Sequence, residues 1–168
     1  RGIKTCVIDT GRPRHPRVEP RVVESYNFVP KEDEYDWNGH STAVCGIIAG
    51  EPVEIFDLRL TGVAPSAELI TIKVLNYAGS GNTEWVLQGM ERAVDTDCKI
   101  INMSLGTDTP CCEGPFRDII IEGIKRGKIW VVAAGNSGPS SNTICCPATV
   151  PEAIAVGAST ITAPKPDT

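Results

Sequence analysis

Histidine is scarce in this chain: His15 and His40 are the only two in 168 residues. Imidazole is the usual proton carrier near neutrality, so histidine-based acid–base chemistry has just two candidates. Long apolar runs are missing as well, and none approaches the roughly 18 residues of a membrane-spanning helix. No Cys-x-x-Cys pair occurs, which with so few histidines argues against a structural zinc site. Acidic and basic residues are interspersed around a net charge of −5, and this excludes the basic footprint of a nucleic-acid binder. Internal repeats, low-complexity tracts and long linkers are also absent, so residues 1–168 read as one domain large enough to bury a core. The chain opens on Arg1 without Met or a signal-peptide pattern, which predicts a processed or trimmed product.

Cysteine, in contrast, is plentiful. There are seven, including the adjacent pairs Cys111-Cys112 and Cys145-Cys146. Disulfides, and hence an oxidising compartment, are the expectation, with the cytosol of hyperthermophiles as the exception. An odd count leaves at least one thiol unpaired or paired outside the chain.

The periodicity alternates between strand and helix. Lys4-Thr5-Cys6-Val7-Ile8 is a short apolar run that stops at Asp9-Thr10-Gly11. A proline- and arginine-rich loop over 12–21 leaves His15 exposed, 22–29 supplies a strand, and 31–36 is an acidic loop. Behind the turn signal Asn38-Gly39, His40 opens a helix whose remainder is apolar and small, with Gly46 and Gly50 allowing close backbone approach. Residues 51–61 read as a polar insertion. Residues 69–75 form a clear strand, followed by Ala78-Gly79-Ser80-Gly81 and a helix capped by Thr83. A strand over 100–103 ends in Ser104-Leu105-Gly106, and Pro115 opens another helix. Buried strands over 129–134 and 153–157 follow. This alternation predicts an α/β fold with a doubly wound parallel sheet.

Four of the strands run into small polar clusters: Asp9-Thr10-Gly11, Gly79-Ser80-Gly81, Ser104-Leu105-Gly106 and Gly135-Asn136. In an open α/β sheet such ends share one edge, where ligands bind. Two nucleotide-binding look-alikes fail. Gly79-Ser80-Gly81-Asn82-Thr83-Glu84 lacks the third glycine of a dinucleotide fingerprint. The glycine–lysine run over 123–128 closes a helix, so its amides face away from any phosphate. A third look-alike, Gly135-Asn136-Ser137-Gly138-Pro139, resembles the nucleophile loop of chymotrypsin-like proteases, whose antiparallel barrels do not suit this pattern. What remains is an acid, a base and an amide in the order Asp9, His40, Asn136. A carboxylate can fix an imidazole's tautomer, the imidazole can take a proton from a serine, and an amide N–H can stabilise the resulting oxyanion.

These motifs resemble those of the subtilisin-like (subtilase) serine proteases. Val7-Ile8-Asp9-Thr10-Gly11 is similar to the family's aspartate motif, and residues 39–50 to its histidine motif, with Ser41 in place of the usual glycine and Ala43 in place of a second histidine. Gly62-Val63-Ala64-Pro65, Ile72-Lys73-Val74-Leu75, Ile101-Asn102-Met103-Ser104-Leu105-Gly106 and Ala133-Ala134-Gly135-Asn136 match further landmarks in the right order. The resemblance implies a partial subtilase catalytic domain over 1–168, incomplete at its carboxyl end, from a secreted or extracellular endopeptidase. It implies Asp9 as the orienting acid, His40 as the base and Asn136 as the oxyanion donor. Gly79, Ser80, Gly81, Ser104, Leu105 and Gly106 would pair with an extended peptide or protein substrate, while Ala133, Ala134 and Gly135 would line the pocket for the residue before the cut. The family's serine motif has no counterpart here, so the nucleophile is expected in a missing carboxyl-terminal segment and the 168 residues alone are expected to be inactive. Calcium is common in the family, but no ligands can be assigned and the metal is left open. The same kinship carries a cis peptide at Cys146-Pro147. A disulfide between the Cys111-Cys112 and Cys145-Cys146 loops is also expected. Two alternatives stay open: a pseudoprotease that holds peptides without cutting them, and, remotely, a dinucleotide-binding domain.

Overall fold

The computed structural model describes residues 2–107 and 113–159. Six strands form one parallel sheet: β1 Lys4–Asp9, β2 Val22–Asn27, β5 Glu68–Lys73, β6 Ile100–Met103, β7 Ile129–Ala133 and β8 Ile154–Val156. Their order across the sheet is β2-β5-β1-β6-β7-β8. Among the described residues three α-helices connect them: α1 His40–Ala49, α2 Thr83–Asp95 and α3 Pro115–Lys125. None is long and apolar enough to cross a membrane.

Alternation along the strands splits the core between two faces. Cys6, Ile8, Ile70, Ile72, Ile101, Met103, Trp130 and Val132 pack against α2 and α3 through Val86, Met90 and Ile120. Val7 and Leu69 point the other way, onto Cys45 and Ala49 of α1. Close packing of α2 depends on Gly89, where a Cβ would overlap the Val74 side chain.

Helix α1 covers only part of its face. Val7 is in register with Asn102, Asn102 with Val131, and Val131 with Ile154. These four therefore form one row on the α1 side, yet Ile154 is 53% exposed. The expectation of a buried strand over 153–157 is thus corrected: β8 is an exposed edge. In β7, likewise, Ile129 is half exposed while Trp130 and Val132 are buried.

Two further readings change. The insertion over 51–61 contains an antiparallel hairpin, β3 Val53–Ile55 with β4 Leu58–Leu60. Val53 faces Leu60 and Ile55 faces Leu58, while Glu54 and Arg59 pair between them. Helix α2 is capped by Asn82 rather than Thr83, because Asn82 Oδ1 accepts the Trp85 amide at 2.9 Å. Close backbone approach is found at Gly50, where a Cβ built on Gly62 would lie 2.5 Å from the Gly50 nitrogen. At Gly46 the nearest neighbour is the Val18 side chain at 3.7 Å.

Candidate active site

Asp9 is the last residue of β1 and fully buried. His40 is the first residue of α1, and its side chain is 47% exposed. Strand end and helix start meet: His40 Nδ1 lies 2.8 Å from Asp9 Oδ1 and 2.9 Å from Oδ2. The Thr10 amide also donates to Asp9 Oδ1 at 2.6 Å. Burial pushes the Asp9 carboxyl above its ordinary value, opposed by the hydrogen bonds from His40 and Thr10. With Nδ1 held by the carboxylate, Nε2 is the ring nitrogen left for chemistry at the cleft.

The short links that bring these two residues together rest on a second carboxylate, which the sequence motifs did not single out. Asp36 is buried in the loop ahead of α1. Its Oδ1 accepts from Thr10 Oγ1 at 2.8 Å, the Gly39 amide at 2.8 Å and the Asn38 amide at 3.1 Å. Its Oδ2 accepts from the Thr42 amide at 2.8 Å and the Thr42 hydroxyl at 2.7 Å. Gly39, the N-cap residue, has φ 97° and no side chain to offer the helix, so Asp36 serves as the cap from outside. Burial alone would raise its carboxyl, but the donors from Thr42, Gly39 and Thr10 outweigh that and hold it below the ordinary value. Thr10 Oγ1 in turn accepts the Ser41 amide at 3.0 Å, joining β1 to α1.

Lys73 completes the frame. It is fully buried at the end of β5, next to Asp9 in register. Its ammonium donates to the Thr10 carbonyl at 2.6 Å and the Tyr35 carbonyl at 3.3 Å, and pairs with Glu32 at 3.2 Å. Sequence reasoning read Lys73 only as part of a landmark. Its signal was a lysine inside an otherwise apolar strand, where an unpaired charge would be too costly.

A cleft of about 710 Å³ opens beside His40. Gly79, Ser80, Gly81, Ser104, Leu105 and Gly106 all line it, so two of the predicted strand-end clusters meet at the histidine. The first is held by Asn76, whose Oδ1 accepts the amides of Ala78 and Ser80 at 3.0 and 3.1 Å. Ala133, Ala134, Gly135 and Asn136 are not brought to the cleft wall. They end or follow β7, with Asn136 exposed. Cys145 stands between the two groups. A Cβ on Gly106 would overlap its sulfur, and one on Gly135 would come within 3.0 Å of it. An antiparallel bridge between Thr107 and Cys146 sets that placement, with amide–carbonyl bonds of 3.0 and 2.9 Å. His15 is exposed and does not line the cleft.

The Cys146-Pro147 peptide is cis, as expected, and Gly138-Pro139 is cis too. Cys146 is disulfide-bonded. Cys111 and Cys112 lie outside the described residues, so the expected pairing of the two loops stays a proposal. In the segment 51–61 and its surroundings, Glu51 pairs with Arg21 and Glu54 with Arg59. These carboxylates are matched by guanidinium groups rather than gathered into an oxygen cage. Among the described residues no three His, Cys, Asp or Glu side chains converge on a metal-sized site.

Comparison with known proteins follows this geometry. The model of the subtilase family matches residues 1–166. Subtilisin Savinase of Lederbergia lenta is 41% identical over 158 residues, covering 94% of this chain and 55% of that protein. Serine protease AprX of Bacillus subtilis (strain 168) is 36% identical over 170 residues, 94% of this chain and 38% of that protein. A solved cold-adapted subtilisin-like serine proteinase superposes with a TM-score of 0.79 at 32% identity, over 95% of this chain and 55% of that one. The chain therefore spans about half or less of the length of these relatives.

Proposed function

Since the chain belongs to the subtilase family, we propose that it is the amino-terminal part of a serine endopeptidase catalytic domain, acting through Asp9, His40 and a serine supplied downstream of Thr168. The observation that carries this reading is the 2.8 Å contact between Asp9 and His40 at the mouth of the cleft. In this mechanism His40 Nε2 takes the proton of the serine hydroxyl as its oxygen attacks the scissile carbonyl. It then returns that proton to the leaving amine. Asp9 fixes the tautomer that leaves Nε2 able to accept, and stabilises the imidazolium that forms. The Asn136 side chain is assigned to the oxyanion. Its exposed position after β7 suits a role that the downstream segment completes around it.

The substrate is an extended peptide or protein chain, whose backbone pairs with the strand ends at 79–81 and 104–106. Ala133, Ala134 and Gly135 do not line the cleft beside His40. They are assigned to a pocket behind it for the residue before the cut, with Cys145, packed between Gly106 and Gly135, as the side chain that limits its depth. Accordingly, Cys145→Gly in the complete protein is expected to shift cleavage toward larger side chains at that position, by roughly tenfold in kcat/KM as for a methylene or two of pocket depth. Profiling on a peptide library checks this, and an unchanged profile would remove Cys145 from the pocket. The disulfide of Cys146 is proposed to reach the Cys111-Cys112 loop, in keeping with secretion to an oxidising compartment.

The half-covered face over β6, β7 and β8 supports docking of the downstream segment there, because apolar rows of this kind are rarely left to solvent. Residues 1–168 alone are expected to hydrolyse no peptide, and the downstream segment, in one polypeptide or as a separate fragment, should restore activity. Robust cleavage by residues 1–168 alone would overturn the proposal.

A further inference from the structure

Two thiols lie far along the strands from the cleft. Cys6 is near the start of β1, whereas Asp9 ends that strand, and Cys98 precedes β6, which runs on toward Ser104 at the cleft. Both are fully buried and both carry free thiols. The two segments run side by side, with Thr5 paired to Ile100 and the Lys99 amide donating to the Lys4 carbonyl at 3.0 Å.

Thr96 links the sulfurs. Cys6 Sγ lies 3.3 Å from Thr96 Oγ1, which donates to the Ala93 carbonyl at 2.8 Å. Cys98 Sγ reaches the same carbonyl at 3.6 Å, and the Cys98 amide donates to Thr96 Oγ1 at 3.4 Å. Both sulfurs are thus tied into one short network, Cys6 through Thr96 and Cys98 through the Ala93 carbonyl that Thr96 also bonds. Lys128 sits over the turn, its ammonium 2.8 Å from the Cys98 carbonyl and 2.5 Å from that of Thr96. This setting separates the two sulfurs chemically. The neighbouring Cys6, with Thr96 and Lys128, lowers the Cys98 thiol against the effect of burial, while Cys6 is pushed up. Cys98 Sγ donates to the Ala93 carbonyl, so it is a thiol at rest, and it is the sulfur carried by the surface turn.

We propose that Cys6 and Cys98 are a redox-active dithiol that closes to a disulfide between β1 and the turn before β6, with a peroxide as oxidant. Cys98 gives up its proton as its sulfur attacks one peroxide oxygen, the O–O bond breaks, and the released hydroxide takes that proton to become water. Cys98 is then a sulfenic acid. The Cys6 sulfur attacks the Cys98 sulfur, the S–O bond breaks, and the departing hydroxide leaves as water with the Cys6 proton. Two thiols and one hydrogen peroxide thus give one disulfide and two waters. Access comes through the turn itself, since Cys98 is flanked by the exposed Asp97 and Lys99; local opening there admits a small oxidant. Neither residue touches the cleft, so the inference stands apart from the protease reading.

The test is to treat the native chain with hydrogen peroxide at neutral pH, quench in acid, alkylate in denaturant and map the peptides by mass spectrometry. The expected product is one pair of peptides joined through Cys6 and Cys98. It should be about 2 Da lighter than the reduced pair and reopened by reductant, with Cys45 still alkylated. In Cys6→Ser, dimedone should trap a sulfenic acid at Cys98; in Cys98→Ser, Cys6 should stay alkylatable. If Cys6 and Cys98 both remain alkylatable after an exposure that fully oxidises a small free thiol, or if Cys98 links to another cysteine, the proposal is overturned. The map of the unsubstituted chain decides this even where a variant fails to fold.

Discussion

Asp9→Asn in the complete protein lowers turnover by roughly 10⁴-fold while leaving the fold at neutral pH no less stable. The amide keeps the size of the carboxyl and can still accept the Thr10 N–H now bonded to Asp9 Oδ1 at 2.6 Å. Toward His40, however, it can present an N–H, which drives the imidazole into the tautomer whose Nε2 carries the proton and cannot act as base. Stability moves differently because burial raises the Asp9 carboxyl. A carboxyl raised on folding binds its proton more tightly in the native state. Its contribution to stability is full below the ordinary carboxylate value and is lost as the pH rises through the folded value. At neutral pH the ionised Asp9 is thus a net burden on the fold, which the neutral amide relieves. His40→Ala goes further and abolishes turnover, since no other base among the described residues touches Asp9. Urea midpoints and kcat measured on the same preparations check both halves. Turnover within tenfold of the parent in either variant would remove the pair from the mechanism.

The pieces of this site that were legible in the sequence are those carried by short, local signals. Asp9 closes an apolar run, His40 follows a turn signal, and glycine-flanked serines end two strands. Each is readable within about five residues, and the strand period then places the ends on one edge. The reading was poorer where the determinant is distant or diluted. Hairpin β3–β4 was missed because each strand is three residues long, too short to establish a period, and Glu54, Asp57 and Arg59 break up the apolar residues. Strand β8 was expected to be buried because Ile154 and Val156 are apolar. Apolar character says what a residue would bury, not whether a neighbour arrives to cover it. Cys6 and Cys98 are brought together only by the parallel pairing of β1 and β6, which no local pattern encodes. Asp36 had a visible cue, a carboxylate three residues ahead of a glycine that cannot cap its own helix, but the cue gains meaning only once α1 is known to begin at His40.

That carboxylate gives the largest expected loss of stability. Asp36→Ala should cost about 3–5 kcal/mol, because it leaves several buried or half-buried donors without an acceptor, at roughly 1–3 kcal/mol for each one that water cannot reach. The donors are the hydroxyls of Thr10 and Thr42 and the amides of Asn38, Gly39 and Thr42. Asp36→Asn should cost less, since one oxygen is kept as an acceptor, but its NH₂ can only donate and so faces the donors of the oxygen it replaces. The pH dependence has the opposite sign to that of Asp9. Asp36 is held below its ordinary value in the fold, so its contribution is present above the unfolded carboxylate pKa of about 3.9 and is lost as the pH falls through the lower folded value. The parent should therefore lose stability across that acid window, and Asp36→Ala should lose less there because the linked carboxyl is gone. In the complete protein, surviving folded Asp36→Ala should show a lowered kcat with KM little changed, since the first turn of α1 carries His40 while the peptide-binding strand ends at 79–81 and 104–106 lie elsewhere. A denaturation midpoint within about 0.5 kcal/mol of the parent, with the same acid slope, would show that α1 is capped by other means and that Asp36 does not position His40.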